Sequence, residues 1–243
     1  MKKIKLIIAC LLMLAFVKTS NSQTIDEVMK NYDKAIGKEK FDKLTTLKQT
    51  GSVITAMGEL TFTKYSKRPN IVRTEIEAMG QKIVQLFDGK DSYSNNPFQG
   101  INELQKGNEE QLYNAKLQAD FDPPLLNYSD KGSKIELLGN EKVDSVDTYK
   151  IKLVTKDGME DIYYVNTITF LPYRLTYKNT LNGAENNNDL RYLSYKNYNG
   201  IMIPDDIVVQ QDNNPMGKEL RLKVSDVELD PLVLDGMFTG DGK

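Results

Sequence analysis

Carboxylates are the main reactive side chains that this chain offers. The sequence of 243 residues has no His and no Trp, and its one Cys is Cys10. A Ser-His-Asp triad, a Cys-His pair and any His-ligated zinc or iron centre are therefore excluded. Adjacent acids occur at Glu109-Glu110 and Asp205-Asp206. A glycosidase pair must flank one bond. Neighbours on a strand point to opposite faces, so Asp205-Asp206 reads as solvated charge. Asp88-Gly89-Lys90-Asp91 starts like a calcium loop but lacks the later spaced oxygen ligands, and reads as a hairpin turn. There is no P-loop and no GxGxxG. Tyr163-Tyr164 and the Tyr192–Tyr195 stretch read as strand residues. No metal site or cofactor is expected, and the chain reads as a protein without catalytic activity.

The elements that would position these groups begin after an export signal. Lys2, Lys3 and Lys5 precede an apolar run from Leu6 to Val17, and Ser20-Asn21-Ser22 supplies small residues for cleavage. Residues 1–22 are thus expected to be a signal peptide, with Cys10 discarded rather than lipid-anchored. Removing them takes away four of 32 basic residues and none of 34 acidic ones. A chain of that charge makes a poor nucleic-acid partner. Residues 23–243 are expected to form one domain, a periplasmic monomer.

A capping pair, Thr24 and Glu27, opens an amphipathic helix with Ile25, Val28, Met29, Tyr32, Ala35 and Ile36 on one stripe, and Gly37 ends it. From Leu47 onward the period changes to two. Turn signals separate strand-like runs at 47–56, 59–67, 70–78, 81–87, 134–143, 147–156, 159–166, 172–179, 188–198, 202–211 and 218–229. About eleven strands with short connections predict an antiparallel sheet or barrel, a mainly β fold with helices (α+β). A barrel of that size has room for a ligand. The polar stretch 101–119 predicts a helical insert closed by Asp122-Pro123-Pro124. Residues 185–189 (ENNND) predict a hairpin tip.

Two segments carry a resemblance. Lys67-Arg68-Pro69-Asn70 is followed by Asp88-Gly89-Lys90 about twenty residues later and then by Asn96-Pro97-Phe98. In order and spacing this set resembles the LolA family of periplasmic lipoprotein carriers. Leu171-Pro172-Tyr173-Arg174 and Ile203-Pro204 are similar to LolA-like lipoprotein-sorting proteins of Bacteroidetes-type bacteria. The resemblance implies a half-open β-barrel with a helical lid. It implies a cavity for the acyl chains of an outer-membrane lipoprotein, passed from an inner-membrane transporter to an outer-membrane receptor. It also implies that Arg68 hydrogen-bonds lid backbone in a closed state.

On that reading the cavity and lid would draw on Leu60, Phe62, Val72, Ile76, Val84, Leu86, Tyr93, Phe98, Leu104 and Leu112, with Arg68 at the lid. Two other functions stay open. An RseB-like sensor of the same fold would bind a partner protein. An envelope hydrolase would use carboxylates.

Overall fold

The computed structural model describes residues 23–181, 184–213 and 217–240. The expected signal peptide, Cys10 included, lies outside the described residues. Helix α1 (Ile25–Ile36) is closed at its start by the reciprocal bonds of Thr24 and Glu27, at 3.3 and 3.0 Å. Gly37, at φ +83°, ends it by donating to Asp33 O and Lys34 O. A Cβ at this position would lie 2.1 Å from Gly200 O. Glycine is thus needed both for the left-handed turn and for the close approach to a neighbouring hairpin. The short helix α2 (Lys38–Phe41) follows.

Among the described residues thirteen strands then form one antiparallel sheet. They are β1 (Thr46–Thr55), β2 (Gly58–Lys67), β3 (Ile71–Ala78), β4 (Gln81–Phe87), β5 (Ser92–Asn96) and β6 (Ile101–Lys106). After helix α3 (Glu109–Gln118) come β7 (Lys134–Val143), β8 (Val146–Val154), β9 (Glu160–Asn166), β10 (Pro172–Leu181), β11 (Ala184–Tyr198), β12 (Ile201–Gln211) and β13 (Glu219–Leu229). The spatial order is β6-β5-β4-β3-β2-β1-β13-β12-β11-β10-β9-β8-β7. Two hairpin meanders are thus joined where β1 meets β13. The terminal strands β6 and β7 do not pair, so the sheet stays open. The hairpin turns use positive φ where expected, as at Met79-Gly80 and Asn199-Gly200.

One continuous core cluster includes Phe62 of β2, Val224 of β13, Ile201 of β12, Leu175 of β10, Tyr163 of β9 and Ile151 of β8, together with Val28, Tyr32 and Ile36 of α1. In a flat sheet β2 and β8 would stand roughly 34 Å apart, at about 4.8 Å per strand. The sheet must therefore curl around α1, as a half-open barrel does.

Two expectations are corrected. Residues 101–106 are strand β6 rather than helix, paired with β5 through Ile101–Asn96, Gln105–Ser94 and Lys106–Tyr93. The helix starts only at Glu109, capped by Asn108 and Gln111. A polar segment gave no clear period, and edge pairing decided it. With β5 this raises the strand count from eleven to thirteen. Residues 185–189 lie within β11 rather than at a tip, and Asn186 and Asn188 are buried. Among the described residues no helix is long and apolar enough to cross a membrane.

Candidate ligand-binding site

Cross-strand register sorts the candidate residues by face, because residues directly opposite one another share a face. Gly51, Phe62, Ile76 and Ile83 lie in one row from β1 to β4. Phe62 belongs to the core around α1, so this row faces inward. Leu60, two residues from Phe62, shares its face. Val72 lies opposite Ser66 and Phe87. It is covered by Ala119, with Leu112 and Ala115 of α3 packed beside them.

Val84, Leu86 and Tyr93 alternate onto the outer face. Val84 is opposite Glu75, and Leu86 is opposite Arg73 and Tyr93. The C-terminal segment runs over this side. Arg73 donates to Met237 O at 3.1 Å, Lys67 pairs with Asp235, and Gly240 lies against the Tyr93 ring. Leu104 has the parity of Lys106, the partner of Tyr93, and lies on the same outer side. Phe98 is 53% exposed at the mouth of a 570 Å³ recess, beside Ile83, Ser94 and Ile101. Apart from the exposed Gln85, residues 83–87 are apolar on both faces, with Phe87 buried on one and Val84 and Leu86 on the other. Periodicity therefore had no means of separating inner from outer.

Arg68 sits where the covering elements meet. Its Nε donates to Leu44 O at 2.6 Å and its Nη2 to Phe41 O at 3.2 Å. Both Nη atoms also reach the Asp122 carboxylate, at 3.1 and 2.6 Å, and the guanidinium lies 4.4 Å from the Phe121 ring centroid. The neighbouring Asn70 accepts from Phe121 N at 3.3 Å. The motif thus ties the end of α2 to the segment 120–131, which puts Phe121, Leu125 and Leu126 into the core. Asn127 reinforces the joint by donating to Asp42 at 2.9 Å and to Asp122 at 3.3 Å. Lys131 braces the same segment through Asp120, Asp122 O and Pro123 O at 2.8–3.0 Å.

The sequence reading missed Asp122, treating Asp122-Pro123-Pro124 only as a helix stop. An acid beside a rigid Pro pair was the available signal for a fixed ionic partner. Asp42 of this joint is acidified: burial pushes its carboxyl up, but hydrogen bonds from Asn127 and Lys38 outweigh that and hold it below the usual range.

The adjacent acids are otherwise employed. Asp206 takes a two-pronged pair from Arg221 at 2.8 and 2.6 Å, and Asp205 accepts from Ser194 at 2.6 Å. Glu109 and Glu110 open the first turn of α3. Asp88 accepts from Lys90 N and Asp91 N at 2.8 and 2.7 Å, as the residue that shapes a turn.

No family model and no curated protein matches the sequence. Solved structures do match the fold. A LolA superfamily protein from Nitrosomonas europaea is 19% identical, with a TM-score of 0.59 over 90% of this chain and 98% of that one. A DUF1329 family protein from Desulfovibrio piger is 17% identical, with a TM-score of 0.56 over 87% and 97%. A Vibrio parahaemolyticus domain named for outer membrane lipoprotein sorting is 12% identical, with a TM-score of 0.55 over 87% and 97%. The chain therefore has a LolA-like fold: an open, curled antiparallel sheet with helices against its inner face.

Proposed function

We propose that the protein is a periplasmic carrier that shelters the acyl part of an outer-membrane lipoprotein, or a similar lipid, on the inner face of its sheet. The observation that carries this reading is the Arg68 joint. α1, α2 and residues 120–131 place Val28, Met29, Ile36, Phe41, Phe121 and Leu126 against the inner face. A compact polar clasp holds these elements, beside a motif like that of the LolA family. Such covers can give up their place to a ligand.

The energetics fit a reversible device. Each buried methylene contributes about 0.8 kcal/mol, so a chain of ~16 carbons represents roughly 13 kcal/mol gross. A hydrogen bond to a charged group contributes about 1.5–3 kcal/mol. The clasp therefore biases closure without overwhelming a ligand that replaces the covers. An inner-membrane donor and an outer-membrane receptor would complete the route.

Uptake of a fluorescent fatty acid, and native mass spectrometry of the protein isolated from an envelope extract, test the proposal. Bound acyl ligand is the expected result. A protein that carries no lipid, takes up no fatty acid and captures one membrane protein stoichiometrically would overturn the carrier reading in favour of a sensor.

A further inference from the structure

Towards the β6 edge the inner face ends in the recess of about 570 Å³ that Phe98 borders. Six of its eleven lining residues are Asn or Gln, so its walls are made chiefly of amides. Gln85, Ser94 and Gln105 stand opposite one another across β4, β5 and β6. Gln85 shares the face of Ile83, two residues away, and therefore faces inward with the apolar row of Phe62 and Ile76. Gln111 closes the recess from the first turn of α3. Its Oε1 accepts from Asn108 N at 2.9 Å, which leaves its NH2 group to the recess.

The backbone is shaped around this place. The register of β5 and β6 shifts between Ser94 and Asn96, the kind of bulge that re-aims side chains. Asn95 fills the gap by accepting from Val84 N at 2.6 Å and donating to Lys82 O and Asn102 O at 3.1 and 3.4 Å. Phe98 rides on the single helical turn Pro97–Gln99, which Gly100 closes at φ +77° by donating to Pro97 O at 3.0 Å. The turn holds the ring 53% exposed at the side of the recess.

The amides are unspent. The side chains of Gln85, Asn96, Gln99 and Gln105 make no hydrogen bond among the described residues. No carboxylate lines the recess, and its one charged side chain, Lys106, is already paired with Asp91 at 2.9 Å. An ionic ligand would find no free counter-charge here. A primary amide both donates and accepts, as a sugar hydroxyl does. An open aromatic face can receive the C–H face of a pyranose ring. The volume suits a small organic ligand.

We propose that this recess is a subsite for an uncharged sugar, with Phe98 as the stacking platform and Gln85, Gln99, Gln105 and Gln111 bonding its hydroxyls. The proposal goes beyond acyl carriage and stands independently of it. Such a sugar could arrive as a free glycan or as the head of a glycolipid, because Ile83 belongs both to the recess and to the apolar row on which an acyl tail would lie.

NMR of the side-chain NH2 groups of the nitrogen-15-labelled protein, titrated with maltotriose, cellotriose, triacetylchitotriose and mannotriose, tests the subsite. At least one of the four is expected to bind with a Kd of about 1 mM or lower, shifting the signals of Gln85, Gln99 and Gln105. Phe98→Ala should weaken that binding about tenfold, and the double variant Gln85→Ala, Gln105→Ala about as much. All three side chains are exposed, so both variants should keep the parent's circular dichroism spectrum. Comparing the bound sugar with its dodecyl glycoside and with dodecanol, each below its micellar concentration, identifies the source. A glycoside that binds more tightly than either part marks a glycolipid head, and one no tighter than the sugar alone marks a free glycan. No shift with any of the four sugars, or parent-like affinity in both variants, overturns the subsite and leaves the carrier reading standing. Sugar binding by a protein that takes up neither dodecanol nor fatty acid keeps the subsite and removes the carrier reading.

Discussion

Replacing Arg68 with Leu should open the clasp without unfolding the sheet. The substitution removes two bonds to main-chain carbonyls, the forked pair with Asp122 and the contact with the Phe121 ring. It also leaves Asp122, whose side chain is 13% exposed, with the Asn127 amide but no cation, while Arg68 itself is 28% exposed. Exposed pairs contribute about 0–1 kcal/mol, and breaking a fully buried pair costs about 3–5 kcal/mol. This pair lies between those limits, with extra charged hydrogen bonds on the arginine side, so about 3 kcal/mol is expected. At 1.36 kcal/mol per tenfold change, local opening of residues 120–131 should become roughly a hundredfold more frequent. Hydrogen exchange reads this directly. The amides of Phe121 and Leu126, bonded to Asn70 and Pro123 O, should lose protection, while those of β10 to β12 keep theirs. Fatty-acid retention should rise in the same variant. Arg68→Lys should fall between, because an ammonium cannot reproduce the fork. Exchange at Phe121 and Leu126 that matches the parent would refute the clasp, and equal loss across the sheet would show a general stability role instead.

Asp161→Asn should stabilise the empty protein at neutral pH by at most about 3 kcal/mol. Burial raises the folded-state pKa to about 6, above the ordinary aspartate value of 3.8, so the parent's stability should fall as pH rises from about 4 to 6 and then level off, a trend absent from the variant in denaturant titrations. Asp230 behaves in the opposite sense. Burial pushes its carboxyl up, but bonds from Thr45 N, Thr46 N and the Thr45 hydroxyl, at 2.7, 3.2 and 3.0 Å, outweigh that and lower its pKa. Its contribution should be present at neutral pH and disappear as pH falls below about 4. Asp230→Asn should cost about 1 kcal/mol at pH 7 and flatten that acid limb. Gly37→Ala should destabilise by about 3 kcal/mol in chemical denaturation, combining a left-handed backbone with a Cβ facing Gly200 O at 2.1 Å. A cost under about 0.5 kcal/mol would mean that α1 does not depend on this contact.

Much of the architecture was written locally. Thr24, Glu27 and Gly37 bound α1 through bonds made within a few residues. Turn pairs such as Met79-Gly80 and Asn199-Gly200 set hairpin register, and period two followed in the strands between them. The Lys67–Asn70 motif marked the place of the clasp. Local chemistry failed where the deciding contact was distant. Residues 101–106 became a strand because β5 offered an edge, and Asn186 and Asn188 were buried among neighbours such as Asn179 of β10 and Gln211 of β12.

The burial of Val84 and Leu86 on one face of β4 and of Phe87 on the other, the pairing of Arg68 with an aspartate 54 residues away, and the burial of Asp161 with no hydrogen bond among the described residues all arise from register and curl. Alternation along a strand says that two faces exist. Only the closing of the sheet around α1, and the run of the C-terminal segment over the outer side, decides which face could hold a ligand.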